Sequence, residues 1–384
     1  MSDVLNRRQL LRRAAAGGAF LTLPGVLAAC GGTTKKAAST TANKTLAKTL
    51  RFSNWTLYID NEKGNKHPTL EAFKKKTGTT VQYTEDINDN ASYFGKIQGP
   101  LSRGQSIDRD IIVMTDNSRY PSLLIKKGWV EKLDKSAIPN IANLQSALQH
   151  PNWDPNRDYS LPWQSGMTGI AYNDKLTDPI LTMNDLLENK KLKGKITLLN
   201  EMADTLSLVM LANGDDPAKV TDATFDKAIK RIKAAVDSGQ VRQFTGNDYS
   251  GPLSKGDLAA AMAWSGDVVQ LQADNKHLHW NLPETGGDIW TDNMLIPKGG
   301  NVYTASVYMN YVYDPKVAAL IEDYVNYICP VKGAKEELQK IDPAVAKNTL
   351  IFPTQKMLDN VHIIDAAALS NQKYLTTWQN LISG

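Results

Sequence analysis

Two apolar periods alternate along this chain. Leu50-Arg51-Phe52-Ser53-Asn54-Trp55 changes face at every residue, the period of a half-buried strand. Residues 68–76 instead carry Leu70 and Phe73 at helical spacing, with Gly78 as a stop. Residues 79–83 predict a second strand, 91–101 a helix, 110–114 a third strand, and 120–127 a helix ended by Gly128. Strands separated by helices imply a parallel sheet with right-handed crossovers. Ligands of such sheets sit just beyond the strand ends, which singles out Trp55, Tyr58, Thr115 and Asp116.

Leu161-Pro162-Trp163-Gln164-Ser165-Gly166 reads as a crossing into a second lobe, followed by a strand over 167–173. A new series then begins: strand 195–199, helix 203–212, helix 224–236, strand 241–245, and a short buried run over 258–263. Residues 293–297 read as the return crossing. Helix is predicted over 317–328, an extended stretch over 350–354, and mostly helix over 362–382. Such a chain is too long for one small core, so two lobes are expected.

The sharpest stretch is Trp264-Ser265-Gly266-Asp267. An aromatic ends the apolar run, Ser-Gly turns the chain, and Asp267 opens a helical pattern. An indole and a carboxylate thus stand together where a strand gives way to a helix. An indole face attracts cations, and a carboxylate pairs with them. Trp290-Thr291-Asp292 offers the same two groups again. Glu201 and Asp204 are spaced to share one face at a helix start. Acids there complement the helix dipole. Their place past a second-lobe strand, toward the cleft of Trp264, also makes them ligand candidates.

The N-terminus speaks to location. Arg7-Arg8-Gln9-Leu10-Leu11-Arg12-Arg13 is basic, and the uncharged stretch 14–29 is broken by Gly17, Gly18 and Pro24. It is shorter than the roughly 20 residues of a spanning helix. Residues 1–29 therefore read as an export signal with twin-arginine character. Leu27-Ala28-Ala29-Cys30 resembles the lipobox of bacterial lipoproteins, in which cleavage leaves an acylated cysteine. Acyl chains on Cys30 would hold the protein to a membrane at about 0.8 kcal/mol per buried CH₂. Residues 30–46, rich in Gly, Thr, Ser, Ala and Lys, read as a flexible tether.

Composition narrows the function. The chain has 44 Lys and Arg against 40 Asp and Glu, and without residues 1–29 the balance is 40 to 39. Nothing basic with interleaved aromatics points to nucleic acid. Attraction for a cation has to be local. With Cys30 acylated, Cys329 has no disulfide partner and reads as a core residue. There is no Gly-x-Ser-x-Gly, no His-Glu-x-x-His and no Gly-rich phosphate loop. His277 and His279 alternate beside Trp280, but two His without a spaced acid make a poor metal site. No catalysis, metal or cofactor is expected; a carboxylate-based hydrolase is the enzyme reading that the acids alone leave open.

Four stretches carry a resemblance. They are Asn54-Trp55-Thr56-Leu57-Tyr58; Asp158-Tyr159-Ser160-Leu161-Pro162-Trp163 with Gly169-Ile170-Ala171-Tyr172-Asn173; Trp264-Ser265-Gly266-Asp267; and Trp290-Thr291-Asp292 with Ile296-Pro297. In order and spacing the chain resembles the substrate-binding proteins of spermidine/putrescine ABC transporters, over residues 49–384. The resemblance implies an α/β fold of the type II periplasmic-binding-protein kind. Each of its two lobes is a mixed, mostly parallel sheet flanked by helices, with the ligand in the cleft between them. Residues 47–163 with 292–362 would form one lobe, and 164–291 with 363–384 the other.

It further implies that Trp55, Tyr58, Trp264 and Trp290 box the methylenes of an amine. Glu201, Asp204, Asp267 and Asp292 would take its ammonium heads. Thr115 would match a small hydroxyl at the third strand's end, and Phe352 an aromatic of the family site. Three departures stand out. Leu57 replaces an acid, for which Asp60 or Asp116 could compensate; Phe352 stands where the family has tyrosine; and His362-Ile363-Ile364-Asp365 occupies the region of a Trp-Gln pair. The implied protein is a monomeric lipoprotein on the outer face of the cell membrane, attached only by its lipid. It would pass putrescine or spermidine to permease subunits. The same fold could hold an amino acid, another cationic amine or a sugar, although no Arg occupies a motif position for an amino acid's carboxylate.

Overall fold

The computed structural model describes residues 44–62 and 66–383. The expected export signal, the acylated Cys30 and the tether up to residue 43 lie outside the described residues. The strands are β1 (Thr49–Trp55), β2 (Thr80–Ile87), β3 (Ile111–Thr115), β4 (Ser160–Asn173), β5 (Ile196–Leu199), β6 (Val241–Thr245), β7 (Ala260–Trp264), β8 (Leu278–Asn281), β9 (Gly287–Leu295) and β10 (Val361–His362).

Two parallel sets stand at opposite ends of one mixed sheet. At one end β1 pairs with β2 and β3; at the other β5 pairs with β6 and β7. The antiparallel pair β4 and β9 joins them, from Ser160 opposite Leu295 to Thr168 opposite Asp288. β3 extends one half of this pair, with Thr115 opposite Asp292. β7 extends the other half, with Thr168 opposite Trp264. This is the two-lobed α/β arrangement expected, with β4 and β9 shared by both lobes.

The crossings at 161–166 and 293–297 are accordingly not loops. They are largely stretches of β4 and β9, which satisfy each other's backbone groups as they pass between lobes. Nearly every residue of β4 is buried, so Gln164, Ser165 and Thr168 break the apolar run without exposing a face. Sequence alternation cannot reveal such a strand. Its start is fixed by Arg157, buried with a left-handed backbone at φ 52°. Arg157 Nη1 donates to Asn293 Oδ1 at 2.7 Å, and Asp154 accepts the backbone amides of Tyr159 and Ser160, each at 3.0 Å.

The β1 lobe closes around Phe52. Its ring meets Trp163 at 5.5 Å and Tyr308 at 5.6 Å, both edge-on, and Tyr308 meets Phe73 at 5.1 Å. Phe73 belongs to the expected helix Pro68–Thr77. Tyr308 belongs to a helix that periodicity did not predict, Val302–Val312. Its valines and tyrosines favour strand locally; Asn301 starts the helix by accepting the amide of Thr304 at 2.9 Å, and burial completes it. The helix Ala334–Ile341 was likewise not predicted.

Three C-terminal expectations shift. The helix Pro315–Val325 stops at Asn326, left-handed at φ 59°, before the apolar pattern ends. Residues 350–354 turn rather than extend, because the amides of Ile351 and Phe352 both donate to the Asn348 carbonyl. Helix occupies Gln372–Ser383, while Val361 and His362 add β10 beside β9. That last helix packs on the β5 lobe: Trp378 Nε1 donates to the Asn200 carbonyl at 2.9 Å, and Tyr374 stacks on Phe225 at 4.0 Å. Among the described residues no helix is long and apolar enough to cross a membrane.

Phe52 is fully buried at the meeting point of three rings. Phe52→Ala is expected to destabilise the protein by about 3–5 kcal/mol in a urea melt read by circular dichroism.

Candidate functional site

The C-terminal ends of β1, β3, β5 and β7 converge on one cavity with about 350 Å³ of space between its lining residues, part of it open to solvent. Nine of the expected residues line it: Trp55, Tyr58, Thr115, Glu201, Asp204, Trp264, Asp267, Trp290 and Asp292. Thr56, Asn90, Asn117, Asn247 and Tyr327 complete the wall.

One wall is a chain of tilted and edge-on rings. Trp55 meets Trp264 at 5.9 Å, Trp264 meets Trp290 at 6.1 Å, Trp290 meets Tyr327 at 5.7 Å, and Tyr327 meets Tyr58 at 5.0 Å. Each ring is set by its neighbours rather than by rotamer choice alone. Gly166 and Gly266 make this possible, because a Cβ at either would lie 2.5 Å from Trp290 or 2.1 Å from Tyr327 respectively. Trp163 steadies the wall from behind, with its indole N–H donating to the Tyr58 carbonyl at 3.1 Å.

The other component is negative. Asp292 accepts the hydroxyls of Tyr58 and Thr115, each at 2.7 Å. Asp267 accepts Tyr327 at 2.7 Å on one oxygen, and Tyr249 at 2.7 Å and Asn247 at 2.9 Å on the other. Asp204 accepts the Thr168 hydroxyl, the Trp264 indole at 3.2 Å and the Asn117 amide at 3.3 Å. Glu201 accepts the backbone and side-chain amides of Asn90 at 2.7 and 2.9 Å. Neutral donors hold all four acids in place, and no Lys, Arg or His lines the cavity.

Burial therefore dominates their titration. Desolvation, then repulsion from Asp89, pushes Glu201 up to about 8. Desolvation pushes Asp292 up to about 7, outweighing its two hydroxyl donors. Asp204 and Asp267 are raised for the same first reason.

Two expected residues lie elsewhere. Asp116 turns to β9, where its carboxylate accepts the Thr291 amide at 2.8 Å while its own amide donates back to Thr291. It ties β3 to β9 and does not line the cavity. Phe352 sits in the turn after Asn348, against Ala346 and Leu338, with the Lys335 ammonium 4.9 Å from its ring. Tyr327 is the aromatic that lines the cavity in its stead. Asp60 does not take the place of the acid absent at Leu57, since it accepts the Thr69 amide at 2.8 Å at a helix start. His277 and His279 both bond Asp174 at 2.8 Å, and no group of three metal-binding side chains forms among the described residues.

The missed lining residues share a property. Asn90, Asn117 and Asn247 are polar residues in ordinary turn and cap positions, and Tyr327 follows a helix stop. None carries a motif. Asn88, beside Asn90, also abuts Gly246, where a Cβ would lie 2.3 Å from the Asn88 carbonyl oxygen. Gln270 donates to the Leu57 carbonyl at 3.1 Å and the Val325 carbonyl at 2.8 Å.

Comparison with known proteins bears on family and fold. The profile described as bacterial extracellular solute-binding protein matches residues 69–354. The chain is 24% identical over 339 residues to the spermidine/putrescine-binding periplasmic protein of Escherichia coli K12, covering 88% of this chain and 92% of that one. It is 28% identical over 328 residues to the putrescine-binding periplasmic protein PotF of the same organism, covering 80% and 83%. In three dimensions it is similar to the spermidine/putrescine ABC transporter substrate-binding protein PotD of Streptococcus pneumoniae. That match has a TM-score of 0.69 and 22% identity, and covers 87% and 97% of the two chains.

The raised acids make stability fall with pH. An acid raised from its ordinary value near 4 to about 7 or 8 binds more protons folded than unfolded in that interval. Its stabilising contribution is present below about pH 4 and lost as pH rises through the folded value. The ligand-free melting temperature is expected to drop between pH 5 and 8, and Asp292→Asn to flatten that drop, read by differential scanning calorimetry.

Proposed function

The chain belongs to the bacterial extracellular solute-binding proteins, and from that premise we propose that it captures a polyamine, putrescine or spermidine, for an ABC importer. One observation carries the choice of ligand. Four buried carboxylates face an aromatic slot, and no basic side chain lines that slot. A buried charge without a partner costs several kcal/mol, so the slot calls for a ligand that brings positive charge at more than one point. Between those points the rings favour a flat carbon chain, worth about 0.8 kcal/mol per buried CH₂. Cation–π contact adds roughly 0.5–2 kcal/mol per ammonium. A sugar would leave the acids uncompensated, and an amino acid would bring its carboxylate among them. The relatives' names point the same way.

The lobes we assign are 47–163 with 292–362, and 164–291 with 363–384; the packing of the Val302–Val312 and Gln372–Ser383 helices supports the placing of those two helices, while β10 pairs with Gly287 and Asp288 of the second lobe. Closure of the lobes over a bound amine is the state a permease would read. Acylation at Cys30, with the tether after it, would keep the protein at the outer face of the membrane beside that permease, as a monomer. This reading rests on the Leu27-Ala28-Ala29-Cys30 stretch.

Calorimetric titration with putrescine, cadaverine, agmatine, spermidine and spermine tests the ligand. Asp267→Asn and Trp264→Ala are each expected to weaken the best amine by at least about tenfold, equivalent to about 1.4 kcal/mol. Unchanged affinity in both folded variants would remove these residues from the site.

A further inference from the structure

Behind the slot lies a fifth acid that the ligand cannot touch. Asp288, on β9, is fully buried and does not line the cavity. The Asn117 side-chain nitrogen donates to Asp288 at 2.8 Å and to Asp204 at 3.3 Å, so both carboxylates lie within reach of one amide. Their surroundings are unequal. Asp204 has three donors, from Thr168, Trp264 and Asn117. One oxygen of Asp288 is buried without a hydrogen-bond partner, and so is the Ser207 hydroxyl, which stands close enough to act on it.

The other charged groups around the pair do not relieve it. Asp116, just past β3, bears on Asp288, and Asp292 and Glu201 stand near Asp204; all three are acids, and none brings positive charge. His362 stands opposite Asp288 in the β10 register, but its ring lies against Gly286. No ion pair reaches Asp204 or Asp288 among the described residues.

Two anions so close in a dry interior cannot both persist. The proton belongs on the acid with fewer donors, which is Asp288. Desolvation first, and Asp204 second, raise Asp288 well above the ordinary carboxylate range.

We propose that Asp288 is a positioning residue: it remains a neutral acid behind Asp204 until an ammonium seats on Asp204, and then yields its proton to solvent. The ammonium cancels the charge on Asp204, so Asp288 can ionise and draw the ligand further in through Asp204. Capture of the amine is thereby coupled to proton release at a residue outside the contact surface. This rests on the amine reading above.

The test uses the mature protein and putrescine, titrated near neutral pH in two buffers of different ionisation enthalpy. Wild type is expected to release about one proton more than Asp288→Asn. The variant should bind within about threefold of wild type at pH 6, and lose the rise in affinity toward pH 8, roughly tenfold per pH unit, that release of one proton entails. Asp204→Asn should lose about tenfold or more. Equal proton counts, or an Asp288→Asn variant as weak as Asp204→Asn at pH 6, overturn the proposal. A ligand-free arm separates it from the amine reading. The infrared difference between wild type and Asp288→Asn near neutral pH should show the carbonyl band of a protonated carboxylic acid in wild type alone. Its absence overturns the proposal whatever the ligand, and Asp288→Ser serves if the Asn variant does not fold. If no amine binds wild type, the amine reading falls and the infrared result still decides the state of Asp288.

Discussion

Carboxyl groups buried in a dry slot without a basic partner are the constraint around which this structure is arranged. Glu201, Asp204, Asp267 and Asp292 are buried, and only neutral groups donate to them. A set of carboxylates in that state is held by geometry, not by countercharge. The fold meets the cost with hydroxyls and amides aimed at single oxygens: Tyr58 and Thr115 on Asp292, Tyr249 and Tyr327 on Asp267. Each donor is itself fixed by packing, so the acids keep their positions without a lysine or arginine to neutralise them. Charge left open in this way is what a cationic ligand can complete.

The long pair of β4 and β9 explains how groups far apart in sequence reach one slot. β9 carries Trp290 and Asp292 along with the deeper Asp288, while β4 supplies Thr168 and the close-packed Gly166. The parallel strands on either side then deliver Trp55, Thr115, Glu201 and Trp264 at their C-terminal ends. Because β4 and β9 belong to both lobes, a change in the angle between lobes acts directly on the residues that would hold the ligand. The contacts of Asn88 with Gly246 and of Gln270 with Leu57 are small surfaces whose loss costs little. That combination suits a cleft that opens and closes.

Much of this was legible beforehand, and the reasons are specific. The strands and helices between residues 49 and 126 follow from plain alternation and helical spacing. The motifs Trp264-Ser265-Gly266-Asp267 and Trp290-Thr291-Asp292 mark the slot because an indole beside an acid is rarely needed for packing alone. The misplaced residues show the limit. Asp116 is next to Thr115 in sequence, but successive side chains at a strand end face opposite ways, and one faces the slot while the other faces β9. Phe352 was placed by resemblance in a segment that folds into a turn against Leu338 and Ala346.

The chain by itself determined the α/β alternation, the aromatic and acidic groups of the slot, and the near-neutral balance that makes attraction local. These are one-dimensional properties: period, residue type and count. Tertiary structure alone decided that β4 and β9 run unbroken through both lobes, and that Asn90, Asn117 and Tyr327 complete the wall. It also decided that Asp288 lies behind Asp204 on a shared amide. Such facts depend on strand register and on which buried donor meets which acceptor across roughly a hundred residues of chain, and no local pattern encodes those pairings.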